Sequence, residues 1–134
     1  MGDAVPHVLI VGAGDTGLTL ATMLSSAGLR VSTLNRSGRS IDAATALVGD
    51  LANSASLVGL PSADVVVFTT APPSRDDEGY RTAYLDGPQR LLDALPSEPT
   101  RAVLTSTTGV YGADDGRWVT ATTPPDPSRS TAAI

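Results

Sequence analysis

The 134 residues, 41% hydrophobic and 17% charged, suffice for one folded domain with one core and are too few for a cofactor domain plus a full substrate domain. A net charge of −5, with all nine cationic residues arginines scattered from Arg30 to Arg129, argues against a nucleic-acid surface, and the absence of cysteine and the single His7 exclude disulfides, thiolate chemistry and a histidine metal cluster. No basic segment precedes the first apolar run, and no stretch approaches the roughly 20 apolar residues that span a bilayer, so the reading is a soluble, cytoplasmic protein without signal peptide, membrane or metal.

In chain order, residues 7–11 form a short Val/Ile/Leu run, the first predicted strand. Leu18, Leu20, Ala21, Leu24 and Ala27 follow at helical spacing, and Gly28 stands where a helix-terminating C′ glycine belongs. A second strand is predicted at 30–34 and a weaker one at 46–48, with too few residues between 36 and 44 for a crossover helix. A short helix is expected within 53–60, then a strand at 64–69. The next helix opens on the acidic Asp76, Asp77 and Glu78, suited to the positive end of a helix dipole, with a kink or break at Gly87-Pro88. Residues 101–105 form the last strand. Near-continuous β-branched runs are the pattern of strands covered on both faces, so the sheet is predicted to be mostly parallel. Beyond Thr105 glycines and then prolines dominate without periodicity, giving a domain at 1–112 and a loop-like extension at 113–134.

The turn between the first strand and the first helix carries the chemistry. Gly12, Gly14 and Gly17 make a G-x-G-x-x-G pattern in the strand-to-helix context that gives this motif its meaning. Gly12 allows the tight turn, Gly14 lets the backbone approach a pyrophosphate, and Gly17 lets helix and strand pack closely. Asp15 and Thr16 complete the loop; Asp15 can cap the helix, but its carboxylate has to point away from a bound diphosphate. About 20 residues on, a carboxylate reading the ribose 2′-hydroxyl would signal NAD(H). Here Asn35, Arg36 and Ser37 stand there, with Arg39 beyond; a neutral Asn and a guanidinium fork favour the 2′-phosphate of NADP(H) over NAD(H). The fold class is therefore α/β: a Rossmann-type, three-layer fold, C-terminally truncated.

Three further segments, Val48-Gly-Asp-Leu51, Val65-Val-Val-Phe-Thr-Thr-Ala71 and Leu104-Thr-Ser-Thr-Thr-Gly-Val-Tyr-Gly112, resemble the short-chain dehydrogenase/reductase superfamily, in its extended and atypical epimerase/dehydratase-like branches. Residues 119–127 resemble the segment that follows in that family. The likeness covers nearly the whole chain but only the N-terminal half of the family's fold. It implies that Asp50 and Leu51 lie against an adenine, that Thr69, Thr70 and Ala71 line the cofactor groove, and that Thr107 occupies the slot of the catalytic Ser/Thr. Two departures stand out: Val11 replaces the first glycine of the extended members' G-x-x-G-x-x-G, and the family's Tyr-x-x-x-Lys is missing, since residues 128–134 read SRSTAAI and the chain has no lysine. The resemblance implies an NAD(P)-dependent oxidoreductase or sugar-nucleotide epimerase/dehydratase; the missing pair leaves a noncatalytic dinucleotide-binding or redox-sensing module as the alternative. The strand at 101–105 is expected to leave an unpaired edge through which two copies associate.

Overall fold

The computed structural model describes residues 4–113 and 115–134, so residues 1–3 of the N-terminal reading lie outside it. Five strands, β1 (His7–Val11), β2 (Arg30–Asn35), β3 (Thr45–Val48), β4 (Val65–Phe68) and β5 (Arg101–Leu104), form one all-parallel sheet in the order β3-β2-β1-β4-β5. The helices are α1 (Asp15–Ser26), α2 (Asp77–Tyr84) and α3 (Asp86–Ala94), with 3-10 turns η1 (Ser54–Leu57), η2 (Thr108–Tyr111) and η3 (Ser130–Ala132). Among the described residues no helix is long and apolar enough to cross a membrane.

The strand order dictates the layers. From β1 the chain steps outward through β2 to β3, whereas β4 returns to the other side of β1 and leads to β5. Right-handed crossovers in opposite directions put their helices on opposite faces. Accordingly Ala21 of α1 packs on Val8, Ile10 and Val31, while Leu91 of α3, Leu95 just after it and Leu57 of η1 pack on Leu9, Val11, Leu34, Val66 and Phe68 from the other side. Adjacent residues of β1 thus face different layers, and all five are buried.

Burial on both faces holds for β1 and most of β2 but not for the other predicted strands. In β4 Val66 and Phe68 are buried while Val65 and Val67 are half covered, and β5 is exposed along its whole length. Apolar composition marks a strand without saying whether it is central or at an edge. The 36–44 connection contains no helix, as its length requires.

Helix α1 ends as predicted: Ala27 is the C-cap, Gly28 follows at φ +85°, and Leu29 N–H reaches back to the Leu24 carbonyl at 3.1 Å. Its start differs. Gly14 is the N-cap and makes no side-chain bond, and Asp15 is the first helical residue, so Asp15 does not cap. The break of the later helix falls at Leu85 (φ −128°, ψ −75°), three residues before Pro88, and Gly87-Pro88 lie inside the first turn of α3. Pro88 has no N–H for the carbonyl four residues back, which is harmless only among the orphan donors of a new first turn. Arg81 braces the break with two bonds to Asp86, both 2.9 Å.

Candidate functional site

The order of strands reverses between β1 and β4, and a crevice opens beyond their C-terminal ends, where open α/β sheets place ligands. Gly12 leaves β1 at φ +108°, a conformation open to glycine, and its N–H bonds the Leu34 carbonyl at 2.9 Å. Thr69 closes the other side: its N–H donates to the Val11 carbonyl at 2.8 Å and its hydroxyl to the Gly12 carbonyl at 3.1 Å. A Cβ on Gly17 would run into the Gly12 carbonyl oxygen and stand 2.8 Å from Thr69 Oγ1, so close packing of helix on strand is what this glycine supplies. Gly14 is different. A Cβ there meets nothing within 4 Å, so its missing side chain leaves the crevice open.

The crevice is a groove of about 510 Å3. Gly12, Gly14, Asn35, Arg36, Asp50, Leu51, Thr69, Thr70 and Ala71 all line it, bringing together nine of the residues singled out above. At one end the first-turn N–H groups of α1 lack intrahelical partners and Gly14 gives them no side-chain cap, the arrangement that accepts a phosphate oxygen. At the other end Arg36 stands on the rim.

The loop after β2 is organised by Asn35. Its Oδ1 accepts from Ser37 N–H at 3.1 Å, Ser37 Oγ at 2.9 Å and Arg39 N–H at 2.9 Å, and its Nδ2 donates to the Arg39 carbonyl at 2.7 Å. Its amide is spent on the turn. Ser37 and Arg39 therefore do not line the groove as expected: the serine hydroxyl and both main chains serve Asn35, and Arg36 is the residue of this loop left facing the crevice.

Asp50 and Leu51 line the groove from just past β3, beside the Asn35 loop. Asp50 N–H donates to Ser56 Oγ at 2.8 Å and its carboxylate accepts from Ala52 N–H at 2.9 Å, while the Leu51 carbonyl accepts from Arg90 at 3.1 Å. The sequence reading missed Pro72, Pro73, Thr82 and Ala83 as lining residues. The prolines continue the Thr69-Thr70-Ala71 wall, but no periodic signal assigns Thr82 and Ala83 to this side of α2.

The remaining residues lie elsewhere. Asp15 and Thr16 line a shallow hollow with Leu20, Met23 and Val67 rather than the groove, and Gly17 is buried below the turn. Asp15 thus keeps its carboxylate off the groove floor. Thr107 caps η2, its Oγ1 accepting from Gly109 N–H at 3.1 Å, and lines a separate cleft with Tyr80 and Arg129. His7 is structural: Nδ1 lies 2.6 Å from the Ser62 carbonyl, which can only accept, and Nε2 2.8 Å from the Ser32 hydroxyl. Tyr84, edge-on to Tyr80 at 5.8 Å, has its phenol pushed up by burial and by Tyr80. Among the described residues no three His, Asp or Glu side chains converge on a possible metal position.

Comparison with known proteins agrees with this architecture. The fold and its crevice define a Rossmann-type α/β domain. Solved structures similar to it include a protein assigned as an NAD-dependent epimerase/dehydratase from Methylobacillus flagellatus (26% identity, TM-score 0.78, covering 97% of this chain and 47% of that one). A protein assigned as an epimerase from Burkholderia cenocepacia J2315 matches at 24% identity and TM-score 0.77, over 98% and 47% of the two chains. A short-chain dehydrogenase/reductase superfamily protein from Agrobacterium tumefaciens, with bound NAD, matches at 23% and 0.68, over 95% and 41%. The chain spans about half the length of these proteins and corresponds to the N-terminal half of their fold. A family model described as an FAD binding domain matches residues 6–51, which is β1 through β3 and the start of the following loop. None of the curated proteins matches the sequence.

Proposed function

We propose that this chain is the dinucleotide-binding part of an atypical extended short-chain dehydrogenase/reductase-like protein, an oxidoreductase or sugar-nucleotide epimerase/dehydratase, and that it takes NADP(H) in preference to NAD(H). The observation that carries the reading is the uncapped α1 amino end at Gly14, opening onto a groove whose far rim holds Arg36. The neighbours from Methylobacillus flagellatus and Agrobacterium tumefaciens, assigned to NAD or holding it, support a nicotinamide dinucleotide. The match over residues 6–51 is compatible with this, because NAD and FAD folds share the G-x-G-x-x-G turn.

In this reading the diphosphate sits on the α1 N–H groups, Asp50 and Leu51 flank the adenine, and Thr69, Thr70 and Ala71 carry the groove toward β5. A nicotinamide held there would supply hydride chemistry. Arg36 meets a 2′-phosphate as a charged donor that Asn35, occupied within its own turn, neither helps nor opposes. No carboxylate stands at the end of β2 to accept from a 2′-hydroxyl, which is the feature an NAD(H) site uses.

A noncatalytic dinucleotide-binding or redox-sensing role is the second reading. Residues 1–134 hold no Tyr-x-x-x-Lys, and a general acid of that kind is worth about 10²- to 10⁴-fold in rate, so turnover is the property that separates the two readings. Titration of NADPH, NADH and FAD, followed by thermal shift, tests the cofactor assignment. NADPH should bind most tightly and Arg36→Ala should remove its advantage over NADH. Equal affinities that ignore Arg36→Ala would refute the preference, and turnover of a carbonyl substrate would refute the noncatalytic reading.

A further inference from the structure

Helix α3 lends no residue to the lining of the groove, yet it is fixed to that lining at two points. Gly87 and Arg90, three residues apart, lie on one face of α3. A Cβ on Gly87 would run into the Thr82 carbonyl oxygen and stand 2.9 Å from Leu51 Cβ, and both Thr82 and Leu51 line the groove. Nearly one turn further along, Arg90 Nη1 donates to the Leu51 carbonyl at 3.1 Å. The helix thus meets the lining once through close packing at a glycine and once through a directed bond. Leu51 and Leu91 also share one core cluster, so the contact is continuous with the packing of α3 on the sheet.

The Arg90 bond differs in reach from the others in this turn. Asp50 N–H donates to Ser56 Oγ at 2.8 Å, Asn53 N–H to the Asp50 carbonyl at 2.9 Å and Ala52 N–H to Asp50 Oδ1 at 2.9 Å, all within residues 50–56. Among the described residues, the Arg90 bond is the hydrogen bond that joins this turn to another element. Arg90 is half-buried and pairs with no described carboxylate, so its permanently charged guanidinium is directed at a main-chain carbonyl instead. The second oxygen of the Asp50 carboxylate, Oδ2, has no described partner, which leaves an ionised acceptor on a residue that lines the groove.

We infer that Arg90 is a positioning residue for the base-binding end of the groove: by holding the Leu51 carbonyl it fixes the turn at residues 50–51, and with it the Asp50 carboxylate, against α3. The inference rests on the dinucleotide reading, in which Asp50 and Leu51 flank the adenine. A carboxylate held there accepts from the 6-amino group of adenine and repels the 6-oxo group of hypoxanthine, so selectivity between the two bases reports how firmly it is held. The test is calorimetric titration of NADPH and of its hypoxanthine analogue into the wild-type chain and two variants. Arg90→Met keeps the apolar stem and removes the donors, and Arg90→Lys keeps a donor. The wild type is expected to prefer NADPH roughly 10- to 100-fold, Arg90→Met to lose most of that preference and Arg90→Lys to recover part of it. Should Arg90→Met fail to fold, Arg90→Gln, with its shorter reach, carries the same comparison. A preference kept intact while both nucleotides weaken equally would make Arg90 a scaffold residue only and overturn the inference, as would a wild type that binds both nucleotides alike. A wild type that binds neither nucleotide overturns the dinucleotide reading and this inference with it, whereas binding with selectivity indifferent to Arg90 overturns this inference alone.

Discussion

The carbonyl oxygen of Gly12 fills the place where a side chain on Gly17 would begin. Helix α1 is seated on the end of β1 through that contact, and Thr69 holds the same oxygen from the β4 side. Two glycines of one motif therefore have different duties. Gly17 serves the fold and Gly14 serves the groove.

Gly17→Ala is expected to destabilise the chain by about 1–3 kcal/mol, because the added carbon must push α1 off the Gly12 turn. Gly14→Ala, whose Cβ meets open space, should lose only the difference between glycine and alanine as N-cap, about 1 kcal/mol at most. Urea denaturation of both variants checks the ranking; equal losses would mean that helix and strand are not in this contact.

In the loop after β2 the two neighbours should separate cleanly. Asn35→Ala removes four hydrogen bonds that shape residues 35–39 and should weaken NADPH and NADH alike. Arg36→Ala should leave NADH unchanged and weaken NADPH by roughly 10- to 100-fold, the worth of a charged hydrogen bond. Isothermal titration of the four combinations measures this.

Acid should loosen α2. The Ser74 hydroxyl at 2.7 Å and the Gly79 N–H at 2.8 Å hold the Asp76 carboxyl below its ordinary range. A folded-state value below the unfolded one gives stabilisation that is complete above about pH 4 and is lost as pH falls through the lower folded value. Asp76→Asn keeps an acceptor oxygen but does not titrate, so the difference in Tm between wild type and this variant should shrink on acidification from pH 6 toward pH 2.5. A difference independent of pH would contradict the cap.

Strand β5 is expected to mediate association. It is an edge strand with Val103 and Leu104 each more than 40% exposed. Light scattering should show mass rising with concentration, and Val103→Lys should suppress it. A monomer at every concentration would rule this out.

Much of this was legible in the sequence because local chemistry and tertiary role coincided. The five strands, the C′ role of Gly28 and the helix-free 36–44 connection follow from β-branching, glycine conformation and chain length, each of which acts locally. The groove was legible from Gly12 to Ala71 for a similar reason: its lining comes from residues just past strand ends, which a parallel sheet brings to one side. What failed depends on direction. Spacing could not tell that Ser37 and the main chain of Arg39 are taken up by Asn35, or that Asp15 and Thr16 face the hollow beside Met23. Nor could it place the helix break at Leu85, because Pro88 acts on a carbonyl one turn upstream. Thr107 and Arg129 line one cleft only because the C-terminal stretch folds back over η2, a long-range event written in Gly112 and Asp126 rather than in any motif.

The account stands most directly on calorimetric titration of NADPH into the wild-type chain and into Gly14→Val, with folding of both verified by circular dichroism. Saturable binding to the wild type, abolished by a side chain that the fold itself tolerates, is the predicted result. Absence of binding to the wild type, or binding of equal strength to Gly14→Val, would contradict the assignment of this groove to a dinucleotide.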